Sequence, residues 1–306
     1  IDFLGTASLK LGIDKYESKH YKFKDELYKQ FLSDGGLKSI PVKKGTTLIN
    51  LKNGTFEVSE NKAFLRDFTK EDFIKYQLPF AYYENAKYPL FQKFLNRVLP
   101  DKDLQHILAE YLGSIFIKND VLKLEKCLLL YGSGANGKSV FYEIVMALLG
   151  SENTTNYTLS SLTQDNSKSR INLEYKLLNY ASEIDGKLKS DIFKSMVSGE
   201  SLPVQQLYKQ DKTITEYAKL LFNCNELPKE VENTNAFFRR FIIIPFNVTI
   251  PEAEQDKTLS NKIIENELSG VFNWMLNGLN RLLMQGDFTA SEVVKNEVLN
   301  YQKKYP

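Results

Sequence analysis

Apolar positions recur along this chain in two rhythms, and their order predicts the architecture. The first clear pattern is short. Thr46-Thr-Leu-Ile-Asn-Leu51 and Thr55-Phe-Glu-Val58 flank Asn53-Gly54, a β-hairpin pattern whose turn should take positive φ at Asn53 and Gly54. A stretch rich in aromatics and proline follows (Pro79-Phe-Ala-Tyr-Tyr83, Tyr88-Pro-Leu-Phe91). From Leu90 to Ile117 the spacing becomes helical, broken at Pro100. Phe91, Phe94, Leu95 and Val98 form one face, and Leu104, Ile107, Leu108, Tyr111, Leu112 and Ile115 another.

Beyond residue 118 short apolar runs alternate with helical stretches. Cys127-Leu-Leu-Leu-Tyr131 reads as a buried strand, and Val140, Phe141, Ile144, Val145, Leu148 and Leu149 as one helix face stopped by Gly150. Leu177–Ala181, Leu220–Phe222 and Phe241–Ile244 read as further strands, Ile192–Val197 as a helix, and Leu202–Tyr208 as one arm of a hairpin. Strands alternating with helices predict a mainly parallel sheet between helical layers. From Asp256 the pattern is helical again, with a wide stripe of Leu268, Val271, Phe272, Trp274, Met275, Leu279 and Leu282. The expected organisation is a basic-aromatic segment over 1–45, a hairpin plus helical module over 46–118, an α/β core over 119–250 and a C-terminal helical lid over 251–306.

Composition narrows this picture only a little. The 306 residues are 42% hydrophobic and 12% aromatic, enough for substantial cores, and the formal net charge is +2. Near-neutrality argues against one broad basic face that coats DNA, but permits basic residues concentrated in a pore. Lysines and aromatics interleave at Lys15-Tyr16 and Lys19-His20-Tyr21-Lys22-Phe23-Lys24; such mixing suits either single-strand contact or a solvated helix face. Cys127 and Cys224 both lie in apolar strands and are expected to be free buried thiols in a reducing compartment. No apolar run approaches the ~18 residues that span a bilayer, so no membrane partner is expected. The chain opens on Ile1 rather than Met and is expected to be a piece of a longer protein.

The chemistry concentrates around Gly132-Ser-Gly-Ala-Asn-Gly-Lys138-Ser139. This fits GxxxxGK[ST], and it stands between a strand and a helix as a P-loop must. Gly132, Gly134, Ala135, Asn136, Gly137, Lys138, Ser139 and Val140 are the expected nucleotide cradle. Backbone N–H groups and the helix N-terminus face the phosphates, Lys138 reaches the β- and γ-phosphates, and Ser139 ligates Mg²⁺. Glu183 ends a strand 45 positions after Lys138. A strand end beside the P-loop can hold a water-orienting or Mg²⁺-touching carboxylate rigidly; a surface Glu capping the next helix is the alternative. The pair at this strand end is Ser182-Glu183 rather than Asp-Glu, so metal ligation rests on Ser139 and Glu183, with Asp185 as a helper. Asn225 ends another strand and can contact the γ-phosphate or the attacking water, or simply form a turn with Pro228. Arg239 and Arg240 precede the last strand; either can reach a neighbour's γ-phosphate, or pair locally with Glu230 or Glu232. Tyr208, Lys209 and Lys212 mark a lysine-tipped hairpin that suits DNA phosphates, sugars or bases, or else merely solubilises an exposed turn.

In order and spacing these motifs resemble the superfamily III helicases, AAA+ ring ATPases of viruses, phages and plasmids, and most closely the phage and poxvirus primase-helicase group. The resemblance runs from about Leu48 onward. It is carried by Ile49-Asn-Leu-Lys-Asn53-Gly54, Leu78-Pro-Phe-Ala-Tyr-Tyr83, the Gly-x-Gly-Ala-Asn136-Gly-Lys-Ser loop, Phe193–Glu200 with Leu207-Tyr208-Lys209, Phe222-Asn-Cys-Asn225-Glu-Leu-Pro228, and Arg239-Arg240-Phe-Ile-Ile-Ile-Pro-Phe246. It implies an ATP- and Mg²⁺-dependent 3′→5′ DNA helicase, hexameric in the full-length protein, in the cytoplasm of a bacterial host and encoded by a phage or mobile element. It further implies Glu183 as the catalytic carboxylate, Asn225 as sensor, Arg239 or Arg240 as a finger acting in trans, and Lys209 as the pore lysine. No primase site is visible; if the full protein makes primers, that domain lies upstream. Two other functions share parts of the motif set. A P-loop ATPase that remodels or loads replication proteins needs the same cis site and trans finger. A small-molecule kinase leaves the arginine pair and the lysine hairpin unexplained.

Overall fold

The computed structural model describes residues 2–35, 45–59, 62–119, 121–182, 184, 188–205, 212–229 and 231–304. The chain divides into two compact units, residues 1–43 and 44–306. The first holds three helices, α1 (Asp2–Lys10), α2 (Lys15–Lys19) and α3 (Tyr21–Asp34). Asp14 caps α2 by accepting from the backbone N–H groups of Tyr16 and Glu17. Residues 2–35 carry six lysines against six carboxylates, so the basic run is matched within its own unit. Phe3, Leu11, Tyr16, Tyr21, Phe31 and Leu32 are exposed.

The second unit begins with a three-stranded antiparallel sheet, β1 (Thr47–Leu51), β2 (Gly54–Ser59) and β3 (Lys62–Arg66). The register pairs Leu51 with Gly54, which makes Lys52-Asn53 the turn and puts Gly54 in the strand. The expected Asn53-Gly54 turn is therefore corrected. Asn53 instead uses its amide to exchange two 2.9 Å hydrogen bonds with the backbone of Tyr82. Glycine at 54 (φ +154°) is demanded by close approach, since a Cβ there would stand 2.4 Å from the Arg66 carbonyl oxygen. The pattern missed β3 because its exposed, charge-flanked Lys-Ala-Phe-Leu-Arg sequence is that of an edge strand.

Two helices lead into the core, α4 (Pro89–Val98) and α5 (Lys102–Ser114). Pro89 stands in the first turn of α4, where a missing N–H costs nothing, and Asp101 caps α5. Next come β4 (Cys127–Tyr131), α6 (Lys138–Leu149), β5 (Thr154–Thr155), α7 (Leu159–Thr163), β6 (Leu178–Ala181) and α8 (Ser190–Ser198). The chain continues through the pair β7 (Leu202–Val204) and β8 (Lys212–Ile214), then β9 (Lys219–Cys224), α9 (Asn235–Phe238) and β10 (Phe241–Pro245). It ends with α10 (Leu259–Gln285) and α11 (Glu292–Lys304).

Five strands form one parallel sheet in the order β10-β4-β9-β6-β5. Strands buried on both faces read as unbroken apolar runs, and alternate residues serve opposite cores. Leu128 and Leu130 of β4, with Ile242 and Ile244 of β10, face a core shared with α4, α5, α6 and α10. Cys127, Leu129, Phe241 and Ile243 face the other core, built with α7, α8, α9 and Tyr301 of α11. Both cysteines are buried free thiols. The fold is thus the expected α/β sandwich. Glu267 of α10 locks it internally: its carboxylate accepts from the N–H groups of Leu90 and Phe91 at 3.0 and 2.9 Å, satisfying orphan donors of the first turn of α4. Among the described residues, no helix is long and apolar enough to cross a membrane.

Candidate nucleotide site

A parallel sheet brings the C-terminal ends of its strands to one edge, and the candidate site lies there. Tyr131 pairs with Cys224 on one side and with Pro245 on the other. The P-loop therefore leaves β4 between the ends of β9 and β10. Gly132 donates to the Cys224 carbonyl at 3.1 Å, and Phe246 donates to the Tyr131 carbonyl at 2.6 Å.

The loop is held by its own side chains. Asn136, buried, donates to the Phe246 carbonyl at 3.0 Å. A Cβ on Gly132 would stand 2.3 Å from that amide, so only glycine leaves room for this clamp. Gly137 (φ +87°) caps α6 and lies so close to α4 that a Cβ would meet Val98 and Phe94 at 2.7 and 2.8 Å. Ala135, exposed, takes φ +49°, and its carbonyl accepts from Ile250 at 2.8 Å. Backbone strain of this kind is typical of sites that must hold a fixed shape. Ser139, in the first turn of α6, is exposed, and Val140 beside it is half-buried.

Lys138 is buried, and its Nζ donates to the Gly132 carbonyl at 2.6 Å, Asn136 Oδ1 at 3.2 Å and Asn225 Oδ1 at 3.4 Å. All three acceptors are neutral. Burial accordingly pushes the Lys138 ammonium below its ordinary pKa, and the neighbouring Cys224 thiol is pushed up to about 12 by the same cause. A cation held only by neutral oxygens is poised to be better satisfied by an anion. The structure thus joins Gly132, Asn136, Lys138 and Asn225, from two adjacent strand ends, into one cluster.

Two expectations need correction. The strand leading to Glu183, β6, does not lie beside the P-loop strand, because β9 is inserted between them. Two strand spacings amount to ~10 Å, room for a phosphate and a water between loop and strand end. Glu183 itself lies outside the described residues, as do Asp185, Tyr208 and Lys209. Lys212 is described, in the β7–β8 pair next to the hairpin loop, opposite Val204, and it is not free: its Nζ pairs with Glu174 at 2.6 Å, which raises its pKa. Among the described residues no cluster of three or more metal-ligating side chains occurs. An exposed Ser139 hydroxyl fits a hard cation that takes its remaining ligands from phosphate and water.

The arginine pair separates sharply. Arg240 is buried; it donates to the Ala236 carbonyl and, at 3.1 Å, to Ser198 Oγ. Its Nε is the one buried side-chain polar atom without a partner among the described residues. Arg239 is 61% exposed and pairs with Glu125 at 3.2 Å. Of the alternative local partners, Glu230 lies outside the described residues and the Glu232 carboxylate is taken by Lys194 and Thr234. The partners of Arg239 escaped sequence reasoning: Glu125 and Lys126 are more than a hundred positions away, and only the β4–β10 register brings them near.

Residues 9–100 match a family described as D5 N terminal like, and residues 130–240 match DUF5906, a family of unknown function. The D5-like match begins well before Leu48, so the family likeness takes in part of the N-terminal helical unit. A protein of Acanthamoeba polyphaga mimivirus named "Putative helicase" is 26% identical over 210 residues, 65% of this chain and 22% of its own length. A second protein with that name, from Invertebrate iridescent virus 3, is 25% identical over 232 residues, 69% of this chain and 24% of its own. The chain thus spans about a quarter of the length of these relatives. The apo C-terminal region of NrS-1 has the same fold, with TM-score 0.55 and 15% identity over 91% of this chain and 66% of that one. Fold and site define a P-loop-like α/β protein. The chain is similar, over parts of its length, to the D5 N terminal like family and to viral proteins named putative helicases.

Proposed function

We propose that this chain is the motor region of an ATP-dependent DNA helicase of the superfamily III, AAA+ type, acting in replication as a ring of like subunits. The observation that carries the reading is the buried Lys138 ammonium, held by neutral oxygens of the P-loop and Asn225 at the open edge of the sheet. An incoming triphosphate supplies the charge these oxygens lack, so Lys138 transfers to its β- and γ-oxygens. The loop N–H groups and the α6 N-terminus then cradle the phosphates. Ser139 and Glu183 would hold Mg²⁺, which when bound would neutralise charge on the phosphate oxygens. Glu183 orients the attacking water, and Asn225 reports the γ-phosphate.

Of the two arginines, Arg239 has the exposure that a finger acting in trans requires, whereas Arg240 is committed to the Ser198 contact. Tyr208, Lys209 and Lys212 belong to the hairpin that would contact DNA, with Lys212 tied to Glu174 where β8 leaves the loop.

The test is ATP hydrolysis with and without single-stranded DNA across a protein concentration series. A rate per subunit that rises with concentration and again with DNA, and a Lys209→Ala variant that loses only the DNA stimulation, supports the helicase. Hydrolysis blind to DNA, with Lys209→Ala indistinguishable from wild type, moves the reading to a remodelling or loading ATPase.

A further inference from the structure

The residues that lead into β4 grip the arginine pair at three successive positions. Glu125 Oε2 accepts from Arg239 Nη2 at 3.2 Å. Lys126 Nζ donates to the Arg239 carbonyl at 2.5 Å, and the Cys127 N–H donates to the Arg240 carbonyl at 2.7 Å. Glu125 takes φ +52°, a left-handed conformation that a side-chain-bearing residue adopts only where its surroundings impose it.

The Glu125 carboxylate is itself well anchored. Lys123 pairs with its other oxygen at 2.9 Å and, ahead of smaller contributions from the Ser198 hydroxyl and Arg239, holds the carboxylate below its ordinary pKa. Its side chain is 22% exposed, against 61% for Arg239. A firmly held acceptor therefore meets a projecting guanidinium. Lys123 balances the charge of Glu125, so the triplet keeps a net positive charge, and that charge sits on Arg239. Glu125 takes only one arm of the guanidinium, while a guanidinium carries five N–H donors in a fixed fork.

We propose that Glu125 is a positioning residue for Arg239, fixing the direction in which the guanidinium is offered to the nucleotide bound by a neighbouring copy. This rests on the reading of Arg239 as the trans finger. It also assigns β4 a linking role. The strand carries the P-loop at one end and the Arg239 clamp at the other, so five residues, about 17 Å of extended chain, join each subunit's own phosphate site to the arginine it presents.

The test measures DNA-stimulated ATP turnover and ATP affinity for wild type, Glu125→Gln, Glu125→Asn, Arg239→Ala and the double variant Glu125→Asn with Arg239→Ala. Asparagine accepts left-handed backbone but is too short to reach the guanidinium, whereas glutamine keeps the length and an acceptor oxygen. Glu125→Asn should lower kcat roughly ten- to hundredfold, the scale of a misplaced catalytic group, with KM and ATP affinity unchanged. Glu125→Gln should be intermediate, and the double variant no slower than Arg239→Ala alone. Unchanged kcat in Glu125→Asn, or losses that multiply in the double variant, would overturn the positioning role while leaving the finger intact. Normal turnover in Arg239→Ala would remove the finger reading and this inference with it.

Discussion

The neighbouring arginines Arg239 and Arg240 should fail in opposite ways when truncated. Among the described residues Arg239 has one ion pair, at 3.2 Å, and its side chain is 61% exposed. An exposed pair contributes ~0–1 kcal/mol, so Arg239→Ala should leave stability within about 1 kcal/mol of wild type. Arg240 is 8% exposed and donates to the Ala236 carbonyl and the Ser198 hydroxyl. Each hydrogen bond to a charged group contributes ~1.5–3 kcal/mol. The unpartnered Nε already costs about 1–3 kcal/mol, which Arg240→Ala would recover. The net loss in Arg240→Ala is therefore ~0–5 kcal/mol, centred near ~2.5. Turnover should divide the other way, since a missing trans finger lowers kcat by ~10³-fold or more. Urea denaturation followed by circular dichroism, paired with ATP turnover at saturating ATP and DNA, measures both. A stable Arg240→Ala protein with turnover collapsed, beside an active Arg239→Ala, would refute the assignment and move the finger to Arg240.

Three further outcomes are expected. Burial pulls Lys219, at the start of β9, down to about 8, and among the described residues it has no ion-pair partner. Its unfolded form binds a proton more readily, so stability should rise with pH between about 8 and 10.5; Lys219→Met should be more stable than wild type at pH 7, with the gap closing toward pH 10.5 in urea melts. Glu267→Ala strips two backbone donors of α4 of their partner and should cost ~1–3 kcal/mol by the same melts, whereas a loss under 0.5 kcal/mol would mean that water replaces the carboxylate. Gly54→Ala drives a Cβ to 2.4 Å from the Arg66 carbonyl and should destabilise by ~1–3 kcal/mol; a neutral result would count against the close β2–β3 approach.

Much of the fold was legible because burial leaves a periodic trace. The apolar runs at Cys127–Tyr131 and Phe241–Ile244 could only be doubly buried strands, and both lie inside the parallel sheet. Gly150 ends its helix at the stop read from the sequence. The Asn53-Gly54 turn misled because the amide of Asn53 found a better partner in the Tyr82 backbone, 29 positions away, and no local pattern carries that competition. The candidate site divides along the same line. The P-loop is a contiguous motif and therefore visible, while the Asn136 clamp on Phe246 and the Glu125 grip on Arg239 each join residues more than a hundred positions apart.

The sequence by itself determined most of the core strands and the long helices, where the P-loop motif lies, and that two arginines stand before the last strand. Those follow from local spacing, glycine placement and apolar periodicity, which act over a few residues. Only the tertiary structure decided that β9 separates β6 from the P-loop, that Lys138 rests on neutral oxygens, and that Arg239 projects while Arg240 is buried. Strand order and side-chain burial are set by the packing of two cores against one sheet, and that packing joins residues whose separation along the chain leaves no mark on the local pattern.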